Sequence, residues 1–537
     1  AGKKTSKGDI RDILEIVDDA EEAARVQPYL RIEKLIRETG ELYFEQKQVA
    51  SKEAIRIYNN GLDAWECKEG FLINEKEGFV SIDSYESTIL YILKKLLNFS
   101  HTLDREQQKS NEKYLRECGI KFEDVLKETA LKNLFVSSQV MFIYGAAGTG
   151  KTTLVKYISE MMNQSKQLFL TKTHAALQNL QRRISNSELK LRFSSIDSVA
   201  KSNDFIDCDI VFIDECSTID NRTMKMLLDK INNGTKIVLS GDIYQIESID
   251  FGNWFYYAKD IIKTKGASIE LLHTWRTDKE ELKSLWNEVR ERKPIITEKL
   301  SMDGPFSENL DESIFHLEED EIVLCLNYDG KFGLNNMNQY FQNANTQSEA
   351  FSWAEWIFKI GDRIIFLDTK RSVLLYNNLK GTIVDIVKNR SSIVFTIDIK
   401  TYLTEEQCKH ETFEYIENTK DGTRIKLEVI AWDDELSEEE RVKTVIPFQI
   451  AYAISIHKAQ GLEYKSVKVV IPSSNAERIT HSIFYTAITR AKEKLKIFWS
   501  AETMEAIVKS FTEEKIEQRT LSLIKEKLFV KDIESGL

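Results

Sequence analysis

The segment Gln139 to Thr153, QVMFIYGAAGTGKTT, constrains this chain more than any other. Val140 to Tyr144 is an unbroken apolar run suited to a buried strand, and Lys151 through Met162 has the composition of a helix. Between them lies Gly145-Ala146-Ala147-Gly148-Thr149-Gly150-Lys151-Thr152-Thr153, so that the spacing G-x-x-x-x-G-K-[ST] falls at a strand-to-helix turn. Residues without Cβ let backbone amides close around a phosphate, and a helix that begins there adds free N–H groups and the positive end of its dipole. Lys151 is then expected to reach the β- and γ-phosphates, and the Thr152 hydroxyl to ligate Mg²⁺. The segment predicts a nucleoside triphosphate site with Mg²⁺.

A chain of 537 residues is too long for one core, and at ~100–200 residues per domain it suggests three or four. With 42% hydrophobic and 30% charged residues there is ample apolar surface for packed cores. No run approaches the ~18 apolar residues of a membrane span, and the charged opening AGKKTSKGDIRDILE has no signal-peptide core. A cytoplasmic location is expected. The six cysteines, Cys67, Cys118, Cys208, Cys216, Cys325 and Cys408, stand singly, which argues against disulfides and structural zinc. The net charge of −12 argues against nonspecific coating of duplex nucleic acid and leaves room for a narrow basic channel.

Residues 1–125 read as an α-rich accessory region. Apolar residues recur at helical spacing from Ile10 to Thr39 and from Ala50 to Tyr58. Trp65 to Ile73 and Gly78 to Ile82 predict a small hairpin around Glu75-Lys76-Glu77-Gly78, ahead of helices near Tyr85–Phe99 and Arg105–Cys118. Charge clusters such as Asp18-Asp19-Ala20-Glu21-Glu22 read as solvated helix faces, and the region is a candidate surface for a protein partner. After the phosphate loop, apolar runs at Gln167–Leu170, Ile210–Ile213, Lys236–Leu239 and Ser268–Leu272 alternate with helical stretches, as in a parallel sheet covered by helices. A second set starts at Glu321–Leu326 and resumes at Val467–Ile471 and Leu495–Trp499. Between its parts lies a β-rich block with strand patterns at 363–366, 382–386 and 393–397. The tail after Glu505 is helical and charged, with no role assigned.

Three further segments carry chemistry. Asp207 to Glu215 is a buried strand that ends in two acids. At the carboxyl edge of a parallel sheet, Asp214 can hold Mg²⁺ while Glu215 takes a proton from the attacking water. Val238-Leu-Ser-Gly241-Asp242-Ile-Tyr-Gln245 repeats the layout and offers Gln245 to the γ-phosphate or the water. Leu170-Thr171-Lys172-Thr173-His174, with Phe193-Ser194-Ser195, puts hydroxyls and a ring at a sheet edge, which suits a sugar-phosphate track. Helix capping by Thr173 or Ser195 is the plainer alternative.

Together with Glu270-Leu-Leu-His-Thr-Trp-Arg276, with His457-Lys458-Ala-Gln460-Gly461-Leu-Glu463, and with Phe484-Tyr-Thr-Ala-Ile-Thr-Arg490, these segments resemble the ordered motifs of superfamily 1 DNA helicases. The His-Lys-x-Gln-Gly run is similar to that of the RecD-like branch, and the likeness covers about Val140 to Ser500. It implies an α/β fold with two RecA-like P-loop domains that grip ATP between their parallel sheets. The first would span 126–262 and the second 263–359 with 447–505. An SH3-like, β-rich insert at 360–446 would interrupt the second, with an α-rich accessory domain at 1–125 and a helical tail at 506–537. Arg276 and Arg490 would face the γ-phosphate, where a guanidinium fork matches spread phosphoryl charge, and Gly461 and Glu463 would join the nucleotide site. Thr171, Thr173, His174, Ser195, His457, Lys458 and Gln460 would touch single-stranded DNA or couple it to ATP; for His457 a buried structural role is the alternative.

The implied activity is that of an ATP-dependent DNA helicase or translocase moving 5′ to 3′ on single strands, with RNA left open. A nucleic-acid-gated switch ATPase in a repair or phage-defence assembly is the alternative from another class, and a nucleic-acid-independent NTPase is a third. The chain departs from the pattern in three places. Leu126 to Phe135 lacks the glutamine expected to read adenine, Ala200 to Ile210 leaves little room for a strand-separating hairpin, and residues 1–125 carry none of the motifs of the series.

Overall fold

The computed structural model describes residues 20–100, 105–117, 125–184, 190–246, 251–318, 320–346, 348–367, 371–372, 374–433, 436–511 and 515–529. Unbroken apolar strands are stable where both faces of a sheet are covered. Val140–Gly145, Gln167–Thr171, Ile210–Ile213 and Lys236–Gly241 meet that condition as the middle of a six-stranded parallel sheet. Leu191–Ser195 pairs outside Gln167–Thr171, and Ser268–Leu271 pairs outside the phosphate-loop strand. The first unit therefore runs on to Leu271, and the expected boundary at 262 is too early. Leu271 is buried with Met141 and Ile143, which explains why the chain adds this strand before leaving the sheet.

Alternation along the phosphate-loop strand fixes what lies on each face. Met141 and Ile143 pack on Leu154, Val155 and Ile158 of the helix Lys151–Met161. Val140, Phe142 and Tyr144 pack on the opposite side with Trp254 and Phe255, and in the same core with Ile89, Ile92, Leu93 and Leu96 of the helix Asp83–Phe99. The accessory region keeps a small core of its own around Ile32, Ile55 and Val80 and also supplies a covering helix to the first sheet, so the boundary expected at 125 does not separate the two. Within that region the hairpin is Ile73–Lys76 with Phe79–Ile82. Ala64–Lys68, expected to begin its first strand, is a short helix because Asp63 and Glu66 form a reciprocal capping box.

The second unit is built on a five-stranded parallel sheet. Its order is Ser307–Glu308, Ala491–Phe498, Tyr464–Val470, Glu321–Cys325 and Ala453–Ser455. Helices Glu280–Arg290, Ile296–Leu300, His481–Ile488 and Ala501–Ser510 contribute to its core. The insert is larger than expected. Phe358, from the hairpin Ala350–Trp353 and Trp356–Lys359, enters its core beside Phe395 and Phe448, and the strand Phe448–Ile450 closes its six-stranded sheet.

The tail is part of the structure on the far side of the chain. Met504, Ile507, Val508 and Phe511 are buried in the second unit, whereas Leu523 and Ile524 of the helix Lys515–Phe529 are buried with the helix Asp83–Phe99 and the first sheet. Lys76 pairs with Glu526 at 2.8 Å, Arg519 with Glu77 at 3.0 Å, and the Thr520 hydroxyl donates to Glu41 at 2.9 Å. Glu86, 4% exposed at its side chain, holds Lys527 and the Tyr43 hydroxyl. Truncating Ile524, which has 0% exposure, is expected to cost about 2–4 kcal/mol as a buried Ile→Ala change. Ile524→Ala should therefore lower the urea midpoint, whereas a loosely appended tail would leave it unmoved.

Candidate nucleotide site

The phosphate loop begins where the strand Val140–Gly145 ends. Gly148 and Gly150 stand at φ +78° and +87°, in the left-handed region that glycine alone adopts without strain. A Cβ on Gly148 would fall 2.3 Å from the Cβ of Arg276, so the residues after Ser268–Leu271 can close on the loop only against a glycine. The Trp275 N–H donates to the Gly148 carbonyl at 2.8 Å, and the Thr274 hydroxyl to the Ala147 carbonyl at 3.2 Å. Lys151 donates to the carbonyls of Gly145 and Ala146 at 2.8 and 3.0 Å. Burial lowers its pKa, opposed by Asp242 and Asp214. Two neutral carbonyls are weaker partners than a phosphate oxygen, so an incoming triphosphate can take this ammonium over.

Neighbouring strands bring acids to the same edge. Asp214 follows Ile210–Ile213 and accepts from the Ser240 hydroxyl and, at 3.0 Å, from the Glu215 N–H. Glu215 has φ +57°, a conformation that costs a non-glycine residue about 1–3 kcal/mol and is retained where the surroundings enforce it. Burial and the charge of Asp214 raise its pKa to about 7, against the pull of Arg490 and Lys151. Asp242 follows Lys236–Gly241; burial raises its pKa against the pull of Lys151. It accepts from Gln245 Nε2 and from the Tyr244 N–H, each at 3.1 Å, which fixes Gln245 at the cleft.

The first sheet offers the cleft its strand ends; the second offers its strand beginnings. Glu463 stands just before Tyr464–Val470 and Arg490 just before Ala491–Phe498. Arg490, 1% exposed, donates to the carbonyls of Thr486 and Leu462 at 2.9 and 3.2 Å and to the Thr489 hydroxyl at 3.2 Å. Arg276 donates to the Thr489 carbonyl at 2.6 Å and pairs with Glu463, yet its Nε is buried with no hydrogen-bond partner. Burial and the neighbouring Arg276 lower the Arg490 pKa to about 10. Two adjacent cations and a buried donor without an acceptor are what an anion would complete. The units also touch where the Ile246 N–H donates to the Thr486 hydroxyl at 2.8 Å and Gln460 Nε2 to the Ile246 carbonyl at 3.3 Å.

The nucleotide residues read from the sequence converge here: Lys151, Thr152, Asp214, Glu215, Gln245, Arg276, Gly461, Glu463 and Arg490 line one cleft. Among the described residues no group of three or more acids, histidines and cysteines could hold a metal. The Thr152 hydroxyl and the Asp214 carboxylate nevertheless fit Mg²⁺, which favours hard oxygens and keeps several of its waters. The nucleic-acid set does not converge. Thr171 has 0% exposure and its hydroxyl donates to the Thr173 carbonyl at 2.9 Å, so its expected contact with DNA is replaced by a structural one. Thr173 and Ser195 accept from the N–H groups of Ala176 and Ser198, as helix caps do. His174 opens the helix His174–Ile184, and its side chain lies outside the described residues. His457 is exposed, which corrects the buried alternative, and Lys458 donates to Gln449 at 2.7 Å. Gln460 lies in the nucleotide cleft.

Sequence reasoning missed Asp242, Thr486, Arg183, Lys127 and Trp275. Trp275, 52% exposed beside the phosphate loop, has the His273 ring at 4.3 Å and the Lys127 ammonium 5.9 Å from its ring centre. An aromatic residue directly before Arg276 was a visible signal for this surface; a lysine in a mixed helix gave none.

The AAA domain family matches residues 127–306, and the UvrD-like helicase C-terminal domain family matches residues 450–497. An uncharacterized protein of Methanocaldococcus jannaschii, MJ1519, is 24% identical over 95% of this chain, which spans 49% of that protein's length. The RecBCD enzyme subunit RecD of Buchnera aphidicola is 24% identical over 68% of this chain and 70% of its own. The crystal structure of Pif1 helicase from Candida albicans covers 75% of this chain and all of its own at 16% identity, with a TM-score of 0.45. No helix among the described residues is long and apolar enough to cross a membrane.

Gly148→Ala tests the packing of loop against Arg276. It is expected to weaken binding of a fluorescent ATP analogue by at least about tenfold, or ~1.4 kcal/mol, with the circular dichroism spectrum kept. Unchanged affinity would show that the close approach is not needed for binding.

Proposed function

We propose that this chain, which belongs to the RecD-like branch of the superfamily 1 helicases, is an ATP-dependent DNA helicase or translocase that moves 5′ to 3′ on single-stranded DNA. The observation that carries the reading is the Arg276 and Arg490 pair. Both guanidiniums are turned on the cleft beside the phosphate loop, and the Nε of Arg276 is buried and unpaired.

Lys151 and the loop amides hold the β- and γ-phosphates, and Trp275 with Lys127 offers a stacking face to the base. Glu215 accepts a proton from the attacking water, which Gln245 orients, while the arginines meet the charge that develops on the phosphoryl oxygens. Bound Mg²⁺ would neutralise phosphate charge from Thr152 and Asp214. Ile246, joined to Thr486 and Gln460, carries the state of the γ-phosphate position from the first unit to the second. His457, exposed on the second unit, and its neighbour Lys458 supply the track for the strand, while Thr173 and Ser195 cap helices.

One observation favours a motor that separates duplexes poorly. Residues 202–209 form a turn before the strand Ile210–Ile213, at the sheet edge opposite the phosphate loop, and the Ile206 N–H is tied to the Lys230 carbonyl at 3.1 Å. That segment forms no hairpin, and Phe205 is its one large exposed apolar side chain, little to set against base-pair stacking of ~1.4 kcal/mol per step. A nucleic-acid-gated switch that recruits a partner through residues 1–125 is the second reading. ATPase rates titrated with single-stranded DNA and RNA of equal length test the first, and a strand-displacement assay separates it from the second.

Glu215→Gln is expected to keep ATP binding and to cut turnover by at least ~10²-fold, the scale of a positioned general base. Near-normal turnover in a steady-state ATPase assay would remove Glu215 from that role. Arg490→Ala should lose ~10³–10⁵ in DNA-stimulated turnover, as an arginine that meets transition-state charge does, with analogue binding through Lys151 retained. Lost affinity with a normal maximal rate would place the γ-phosphate elsewhere.

A further inference from the structure

We infer that Lys380, carried by the β-rich insert, is a positioning residue for hydrolysis, holding the Glu463–Tyr464 peptide on which both arginines of the cleft are set. The strand Lys380–Lys388 opens on this residue, beside Ile365 of the strand Arg363–Phe366. Its side chain leaves the insert and ends on the second unit. The ammonium donates to the Glu463 carbonyl at 3.1 Å, lies 3.5 Å from the Asp320 carboxylate and stands 3.5 Å from the centre of the Tyr464 ring. One cation thus grips the carbonyl of one residue and the ring of the next, which fixes the rotation of the peptide between them.

Two contacts run from that peptide into the cleft. The Glu463 carboxylate pairs with Arg276 and, at 2.8 Å, with Lys492. The Tyr464 N–H donates to the Arg490 carbonyl at 3.0 Å. Gly461, two residues before Glu463, approaches the opposite wall: a Cβ there would lie 3.2 Å from Glu215 Oε1. Without Lys380 the backbone pairing to Arg490 survives, but Glu463 can swing and Arg276 loses a fixed counter-ion. The insert, which contributes no strand to either parallel sheet, is thereby joined to the hydrolytic residues, and a shift of the insert against the second sheet is felt at Arg276.

The contact also has a pH signature. Burial lowers the Lys380 pKa to about 8, with Asp320 opposing. The charged groups that face it are Asp320, ahead of Glu321–Cys325, Glu463, ahead of Tyr464–Val470, and Lys492, on Ala491–Phe498. The cation is present below that value and lost as pH rises through it.

The test is the pH dependence of kcat and KM for ATP of the full chain at saturating oligo(dT), for wild type, Lys380→Arg and Lys380→Met. Wild-type kcat is expected to fall on the alkaline side with a midpoint near 8. Lys380→Arg keeps a cation and should abolish that fall, and Lys380→Met should also lack the alkaline fall, at a rate about tenfold lower, with the acid limb of Glu215 kept in all three. KM and oligonucleotide affinity should stay within about twofold, since no binding contact is removed. Equal kcat and one shared alkaline limb in all three proteins would overturn the inference, as would a Lys380→Met change confined to the melting temperature. The inference rests on hydrolysis at this cleft. An inactive wild type would overturn that reading, whereas an active wild type indifferent to Lys380→Met overturns this one alone.

Discussion

Arg276 and Arg490 share one cleft although like charges repel, and most of the local structure serves to keep them there. Carbonyls of Thr486, Leu462 and Thr489 and the carboxylate of Glu463 hold them. On the facing wall, Lys151 adds a third cation and Asp214, Glu215 and Asp242 add three acids. Desolvated charges of this kind are costly to assemble and costlier to leave uncompensated. The strained backbone at Glu215 and the crowded approach at Gly148 are tolerated because the two sheets enforce them from both sides.

Those sheets meet the cleft with opposite edges, which has a chemical consequence. The first contributes side chains from strand ends, where a helix N-terminus and free amides suit phosphate. The second contributes residues from strand beginnings, set by backbone pairing to the adjoining strand. The Tyr464 N–H on the Arg490 carbonyl is one such pairing. Groups fixed this way can be withdrawn or presented as a body, without rearranging either core.

Much of this was legible in the residues, and the limits have physical causes. Runs such as Ile210–Ile213 announce themselves because a strand covered on both faces is mostly apolar, and the phosphate loop is fixed by steric need at its glycines. The domain boundaries were less legible. Asp83–Phe99 carries an amphipathic pattern that says it is covered, but not that the covering partner is the sheet beginning at Val140. Ala64–Lys68 was misread as strand because its aromatic composition outweighed the Asp63 and Glu66 capping pair. The nucleic-acid set was the least legible. Threonine and serine at a strand end serve a helix cap as readily as a phosphate, and Thr171 proved to be buried. Asp242 and Lys380 act through tertiary neighbours that no spacing encodes.

The helix Lys515–Phe529 gives the chain a second attachment across its own cleft. Phe511 is seated in the second unit, and from Arg519 to Ile524 the chain is bound to the accessory region and first sheet. The polypeptide therefore makes a circuit: it leaves the first unit after Leu271 and is fastened back onto it by its tail. The eight Cα-to-Cα steps from Phe511 to Arg519 span at most about 29 Å even fully extended, so any separation of the units has a fixed leash. To exceed it, the tail would have to peel from the helix Asp83–Phe99 and strip Lys527 from Glu86, exposing a carboxylate that the fold keeps from water.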